Sequence, residues 1–258
     1  MSNEEITSHN IPDLLKQISI PVVTGLFFQT MYNIVDTFYA GYISTQAVAA
    51  ISLSFVFVYI LIGIGHGLGS ALTSLIGNFQ GRKKNFLASL FAHKGMLFIP
   101  LVGLFCSVLG YFIAPYVFMF LGAQDSYLSL ALEYINIILL GNVFFMINFA
   151  CNAVLNASGD TKTYRNSLFF GFFANIALNP IFMYGFLFIP EMGLAGIAFS
   201  TIFVQVLVMS YLLKKVIDKK IISLKNLKMF LPDKRIYKEF LQQGLPASLN
   251  IVIMGLGA

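Results

Sequence analysis

The chain alternates between long stretches without charged residues and short polar connections. Charge-free stretches cover 17–35, 37–81, 95–124, 134–159, 166–190 and 192–213. Each holds the roughly 20 apolar residues that a membrane-spanning helix needs. We predict six helices, near 15–39, 48–78, 94–121, 128–156, 164–188 and 193–214, and a further apolar segment from Gly244 to Ala258. The expected fold class is an all-α polytopic membrane protein with a six-helix transmembrane lobe.

Composition supports a membrane protein and explains the basic charge. Hydrophobic residues make up 58% of the chain and charged residues 10%, whereas soluble domains are about 25% charged. All 16 Lys and Arg lie at residue 16, within 82–94, within 162–165 or within 214–238, and the three alternate connections have none. The positive-inside rule then predicts a multi-pass membrane protein with a cytoplasmic N-terminus. The expected location is the bacterial plasma (inner) membrane. The basic charge therefore indicates topology, and no nucleic-acid partner is expected.

The polar segment 214–243 separates two apolar regions. Residues 240–246 (FLQQGLP) echo residues 15–21 (LKQISIP), which suggests an internal repeat. We predict an N-terminal six-helix lobe over 1–213, a cytoplasmic linker over 214–243 and the start of a second lobe over 244–258. The chain would then be about half of a transporter, and it would need a second six-helix lobe.

Asp36 is the most informative polar residue within a predicted span. It lies about 30 Å along the first helix from Lys16 at 1.5 Å per residue, which places it in the outer half of the membrane. Gln29, Asn33 and Asp36 share one helix face by their i, i+4, i+7 spacing. A carboxylate at this depth costs about 2.5–3.5 kcal/mol, so we interpret Asp36 as a switchable protonation site. The alternative is an idle carboxylate at the membrane interface.

The fifth predicted helix carries a second polar cluster. Asn175 and Asn179 lie one turn apart, and Pro180 follows them. Because proline has no N–H, the carbonyl of Ile176 loses its helical donor. Amide and carbonyl oxygens suit Na⁺ or a protonated carboxyl group. The alternative is that these amides only hold neighbouring helices together.

Two more helices present polar side chains at helical spacing. Asn148 and Asn152 lie one turn apart on the fourth helix, and Thr201 and Gln205 do so on the sixth. Such a stripe on the fourth helix is either the wall of a wet cavity or interhelical hydrogen bonding. We take Gln29, Asn33, Asn148, Asn152 and Gln205 as candidate cavity-lining residues.

The second helix contains His66 within a run of alternating glycines, at 63, 65, 67 and 69. A histidine in a membrane helix can shuttle protons, but a packed, neutral core residue is the more common case. The glycines favour close helix packing or bending.

Five segments, in order, resemble motifs of the multidrug and toxic compound extrusion (MATE) family. Each is found at the topological position that the family pattern requires. They are Ile20-Pro21 with 31–41 (MYNIVDTFYAG), 65–81 (GHGLGSALTSLIGNFQG), 155–162 (LNASGDTK), 175–180 (NIALNP) and 193–201 (GLAGIAFST).

The resemblance implies a twelve-helix exporter with two six-helix lobes around a V-shaped cavity. It implies export of cationic, amphipathic drugs in exchange for H⁺ or Na⁺, with coupling at Asp36 assisted by Asn175, Asn179 and Thr201. Asn179 replaces the family's usual second acid, which favours H⁺ over Na⁺. No metal is expected beyond a possible Na⁺ at Asp36, and no cofactor.

Helix bending at Pro21, and at Pro180 in the fifth helix, is the conformational change that we expect. Three other classes compete with the antiporter. A lipid-linked oligosaccharide flippase would need Lys or Arg in its cavity, and none is embedded in a predicted span. A non-transporting scaffold would not need buried polar stripes. An enzyme is least favoured, because no nucleophile–base pair, metal cluster or cofactor loop is visible.

Overall fold

The fold is all α-helical. A computed structural model describes residues 11–219, 221–222 and 227–256. Within these residues there is no β-strand, and one short 3₁₀ helix spans Leu227–Phe230. The helices are α1 (Ile11–Ile43), α2 (Thr45–Gly81), α3 (Asn85–Phe120), α4 (Asp125–Ala157), α5 (Lys162–Tyr184), α6 (Gly193–Asp218) and α7 (Lys234–Leu256). The predicted six-helix lobe is confirmed.

Among the described residues, five helices are long and apolar enough to cross a membrane. They are Thr45–Gly81, Asn85–Phe120, Tyr127–Ala157, Lys162–Tyr184 and Gly193–Asp218. Helix α1 has 33 residues and the necessary length, but its polar stripe makes it less apolar. The chain is a multi-pass membrane protein.

Helix α5 ends earlier than predicted. Helix α5 ends at Tyr184 rather than near 188, because Gly185 adopts a φ of 80° that favours glycine. Phe186 and Ile189 then exchange backbone hydrogen bonds of 3.0 and 2.9 Å in a tight turn.

Helix α3 begins at Asn85 rather than near 94, so Lys94 was wrongly assigned to a connection. Its side chain is 6% exposed, inside α3. The ammonium group donates a hydrogen bond to the carbonyl of Leu231, which satisfies the buried charge in part and attaches the 3₁₀ segment to α3.

Helix α4 is the centre of the lobe and packs against α2, α3 and α6. Helix α1 packs mainly on α5, and α7 packs along α2. The glycine run on α2 allows close contact with two helices, α7 and α4. A Cβ at Gly67 would lie 2.1 Å from Ser248 Oγ on α7, and a Cβ at Gly65 would lie 2.2 Å from the ring of Phe149 on α4. The predicted role of the glycines in close packing is thus observed.

One end of the lobe, which we call the basic end, carries the α2–α3 and α4–α5 connections and the C-terminus of α6. Lys219 pairs there with Asp160, which also accepts the hydroxyl of Thr163 at 2.6 Å. Burial alone would raise the pKa of Asp160, but the hydrogen bonds from Lys219 and Thr163 outweigh it and lower this pKa. The ion pair therefore ties α6 to the start of α5.

Helical structure extends into both ends of the predicted linker 214–243, because α6 continues to Asp218 and α7 begins at Lys234. The division into lobe, linker and second lobe stays a prediction.

Candidate functional site

The carboxyl group of Asp36 is buried and surrounded by neutral donors from two other helices. Its side chain is 3% exposed. Its Oδ1 accepts from Asn175 Nδ2 and from Asn179 Nδ2, both at 2.9 Å, and its Oδ2 accepts from Thr201 Oγ1 at 3.0 Å. The site thus joins α1 to α5 and α6 through one acid. The four residues are the predicted coupling set.

The two asparagines also bind each other. Asn175 Nδ2 lies 3.4 Å from Asn179 Oδ1, and Asn179 Nδ2 lies 3.2 Å from Asn175 Oδ1. Each NH₂ group therefore donates to the carboxylate and to the other amide. Because an NH₂ group has two protons, both donors are fully used.

Close packing of α5 and α6 keeps this arrangement in register. A Cβ at Gly196 would lie 2.4 Å from the backbone oxygen of Phe182. Only a glycine lets α6 approach the backbone of α5 at this point. Thr201 follows on α6 and Asn179 precedes on α5, so the contact positions both donors against Asp36.

The carbonyl of Ile176 is not an open cation ligand. Pro180 removes its helical donor as predicted, but Tyr39 Oη donates a hydrogen bond to it at 3.0 Å. Tyr39 lies on α1 close to Asp36, so the free carbonyl becomes another connection between α1 and α5. The sequence did not identify this partner.

A cavity of about 70 Å³ adjoins the site. The residues predicted to line a cavity fall into two groups. Gln29, Asn33, Asn148 and Gln205 line this cavity together with Asp36 and Thr201. Asn152 does not, and instead lines cavities nearer the basic end, because it lies one turn further along α4.

A family model described as MatE matches residues 21–181, well over half of the chain. The chain belongs to the MatE family. The match extends from α1 into α5, so it includes Asp36, Asn175 and Asn179.

Several proteins resemble this MatE chain over most of its length. It is 27% identical over 246 residues to the probable multidrug resistance protein YoeA of Bacillus subtilis, covering 92% of the chain and 52% of the relative. It is 26% identical over 198 residues to the FAD transporter of Shewanella oneidensis, covering 77% and 44%. A crystal structure of MATE in the bent conformation is 25% identical, with a TM-score of 0.88, covering 98% and 56%. The chain spans about half the length of the curated relatives it matches.

The asparagine stripe on α4 of this MatE chain is both cavity wall and helix contact. Asn148 Nδ2 donates to Gln205 Oε1 at 2.8 Å and to the Gln205 backbone oxygen at 3.2 Å. The opposite atom, Asn148 Oδ1, is buried without a hydrogen-bond partner in the described part of the chain, as is Gln29 Oε1. Both residues line the Asp36 cavity, so these oxygens are available to water or to an ion there.

Two tyrosines of the site were missed. Tyr32 and Tyr134 both line the cavity, and Tyr32 Oη lies 3.5 Å from the carbonyl of Thr201. Tyr32 precedes Asp36 by one turn, a spacing that would have revealed it. Tyr134 lies in an apolar run of α4 and gives no such signal.

Pro21 and Pro180 both lie inside continuous helices, α1 and α5. A role in bending stays a prediction.

Proposed function

We propose that this chain is one lobe of a secondary antiporter that exports cationic, amphipathic drugs in exchange for H⁺. The observation that carries the proposal is the buried carboxyl of Asp36, held by Asn175, Asn179 and Thr201 and without a basic partner among the described residues. Because these three partners are neutral, the charge of the carboxyl is the charge of the whole site, and protonation makes the site neutral. Protonation there alters the forces between three helices.

Protonation of Asp36 also changes the hydrogen-bond pattern. In its acceptor form the carboxylate receives three protein donors. A protonated carboxyl needs an acceptor for its own hydrogen, so an amide of Asn175 or Asn179 must turn, or the hydroxyl of Thr201 must rotate. The protonated and ionised forms therefore favour different arrangements of α1, α5 and α6. A ligand shifts such an equilibrium only by its differential affinity for the two states.

The donor geometry favours H⁺ over Na⁺. Amide hydrogens of Asn175 and Asn179 face the carboxylate, whereas Na⁺ would require oxygens in those positions. Asp36 is also the one carboxylate among the described residues that line its cavity. A site with one acid gives a metal cation less compensating charge than a site with two.

An open cleft of about 780 Å³ between α1, α2 and α7 is suited to the drug. It is lined by aromatic rings, including Phe38, Phe55 and Tyr59, and by neutral polar side chains. Aromatic faces attract organic cations. No Lys, Arg, Asp or Glu is among the described lining residues, so the cleft offers no cation for an anionic substrate such as FAD or a pyrophosphate-linked sugar.

We place the basic end of the lobe, and the N-terminus, on the cytoplasmic side of a bacterial inner membrane. The positive-inside distribution of Lys and Arg supports this orientation. A second six-helix lobe would complete the transporter.

The proposal is tested with the full-length protein in proteoliposomes and a fluorescent lipophilic cation such as ethidium. An imposed pH gradient should drive ethidium transport, and a Na⁺ gradient at constant pH should not. Transport driven by Na⁺ alone would contradict H⁺ coupling. Ethidium transport that depends on neither gradient would contradict antiport. Gradient-driven movement of FAD would contradict the proposed substrate class.

A second acid should change the ion preference. Asn179→Asp places a second carboxylate against Asp36, where Asn179 Nδ2 now lies at 2.9 Å. Since ligand charge tunes cation affinity, we expect the concentration of Na⁺ that affects transport to fall by about tenfold or more. Ethidium transport measured across a range of Na⁺ concentrations checks this. Asn179→Leu is the control, because it removes the same amide without adding charge. An equal Na⁺ response in both variants would count against the argument.

A further inference from the structure

His66 lies where three cavities meet. It lines the open cleft of about 780 Å³, a cavity of about 370 Å³ between α2 and α4, and a cavity of about 140 Å³ between α1, α2, α4 and α5. The two smaller cavities extend from His66 toward the basic end, and we call them the vestibules. One face of the imidazole packs on Phe149, with ring centroids 4.6 Å apart. The half-buried ring nevertheless borders all three cavities.

The vestibules are rich in neutral hydrogen-bonding groups. Asn152 and Asn156 line both of them. The larger also contains Ser70, Thr73 and Ser74, and the smaller reaches Thr161 and Arg165 at the start of α5. Asn152 Oδ1 is buried without a hydrogen-bond partner in the part of the chain that the structure describes. Space, hydroxyls and an unsatisfied acceptor together indicate a site for ordered water.

Shared lining residues connect the vestibules to Asp36. His66 borders the vestibules and the cleft. Gln29 and Asn33 border the cleft and also the Asp36 cavity. A polar route thus runs from the basic end past His66 and the Gln29–Asn33 face to the carboxyl group.

We propose that His66 is a proton relay that connects the basic end of the lobe to Asp36. In this step the protonated carboxyl of Asp36 releases its proton to water in the cleft. One ring nitrogen of His66 accepts a proton from that water, and the other ring nitrogen releases its own proton to water in the vestibules. The imidazole is then neutral in its other tautomer, and a turn of the ring restores the first tautomer for the next cycle. The inference rests on the proposed function and adds the route by which H⁺ leaves the site for the cytoplasmic side.

Charges along the route favour H⁺ over metal cations. Arg165 lines the smaller vestibule near the basic end, and Tyr164 lies beside it. Tyr59 is the titratable group that shares the cleft with His66 among the described residues. No carboxylate is among the described residues that line either vestibule. A hydrated Na⁺ would meet a guanidinium and no compensating acid, whereas a proton needs only water and the imidazole.

The test compares His66→Gln with His93→Gln in the full-length protein in proteoliposomes. Glutamine fills the space and forms hydrogen bonds but does not exchange protons near neutral pH. His93 is a matched buried histidine on α3, packed on Phe230 with centroids 4.9 Å apart, and it lines none of these cavities. We expect His66→Gln to slow pH-driven ethidium transport by about 100-fold, the low end of what a positioned proton donor and acceptor contributes. Transport by His93→Gln should match the unmodified protein.

Imidazole in solution separates a relay from a packing role. Added imidazole should restore transport by His66→Ala, whose shortened side chain leaves room for it. Ethidium affinity should stay unchanged in His93→Gln, because His93 lies outside the cleft. The unmodified protein in the same imidazole corrects for any loss of the pH gradient. Wild-type rates in His66→Gln would overturn the inference, and so would a slow His66→Ala that imidazole does not restore. Normal coupled transport by Asp36→Asn would instead overturn the proposed function itself.

Discussion

Replacing Asp36 with asparagine should reduce pH-driven ethidium export by at least about 100-fold, because an amide cannot take up or release the coupled proton. The fold should survive the change. Asparagine has the shape of aspartate, and its oxygen can still accept from Asn175 and Asn179, which now lie 2.9 Å from Oδ1. Its NH₂ group can donate to the hydroxyl of Thr201, which accepts as well as donates. Proteoliposome transport driven by a pH gradient measures the effect.

Asp218→Asn is the matched control for this prediction. Asp218 is an exposed carboxylate at the end of α6, outside the Asp36 cavity. The two substitutions remove the same charge, so a difference between their export rates reports the effect of where the carboxylate lies. Retention of gradient-driven export by Asp36→Asn would mean that another group couples the ion. Equal losses in both variants would point to net charge instead.

Gly196→Ala should destabilise the lobe and weaken the Asp36 site at once. The added methyl group would lie 2.4 Å from Phe182 O and 2.9 Å from Met183 N. Backbone atoms cannot turn away as a side chain can, so α6 must shift from α5. We expect a loss of about 1–3 kcal/mol in the free energy of unfolding, the usual cost of overpacking. Because the shift moves Thr201 relative to Asn179, coupled transport should fall as well. The thermal midpoint in detergent and the transport rate check the two effects.

Gly77→Ala provides the comparison for the glycine prediction. No atom lies within 4 Å of a Cβ built at Gly77, and the residue lies inside α2. Alanine is favoured over glycine within a helix by about 0.5–1 kcal/mol, so this variant should be equally stable or more stable. A Gly196→Ala protein with an unchanged midpoint would show that α6 adjusts without cost.

The helices and the acid of the site could be predicted from local patterns. Long charge-free stretches fixed the number of helices, and the i, i+4, i+7 spacing put Gln29, Asn33 and Asp36 on one face. Asn175 and Asn179 were found in the same way. These inferences succeed because a helix in a bilayer must hide its polar groups from lipid, which leaves a visible trace in the sequence.

Pairings between helices could not be read from the sequence. The hydroxyl of Tyr39 reaches the carbonyl of Ile176 across the α1–α5 contact, and no pattern within α1 indicates that partner. The sequence predicts that the third helix begins near Lys94, because the charge-free stretch starts at residue 95. In the structure the ammonium of Lys94 reaches the carbonyl of Leu231, a long-range contact that makes burial acceptable. Residues that share one helix face can be predicted because their spacing along the chain is local. Hydrogen-bond partners on another helix cannot be predicted in this way, because they are distant in the sequence.

The glycine run on α2 lets α7 and α4 approach the backbone of this helix closely. Gly63 and Gly67 face α7, where added Cβ atoms would lie 2.5 Å from Val252 and 2.1 Å from Ser248. Gly65 faces α4 instead. At these positions α2 contributes no side chains to the contact, and the side chains of Val252 and Ser248 lie against its backbone. Fewer side chains therefore have to move when the two helices rotate against each other. If α7 opens a second lobe, the two halves of the transporter need not separate along this line in order to change which side they open to. A rotation between the two halves would then pivot about α2, and α5 and α6, which pack on other helices, would travel the most.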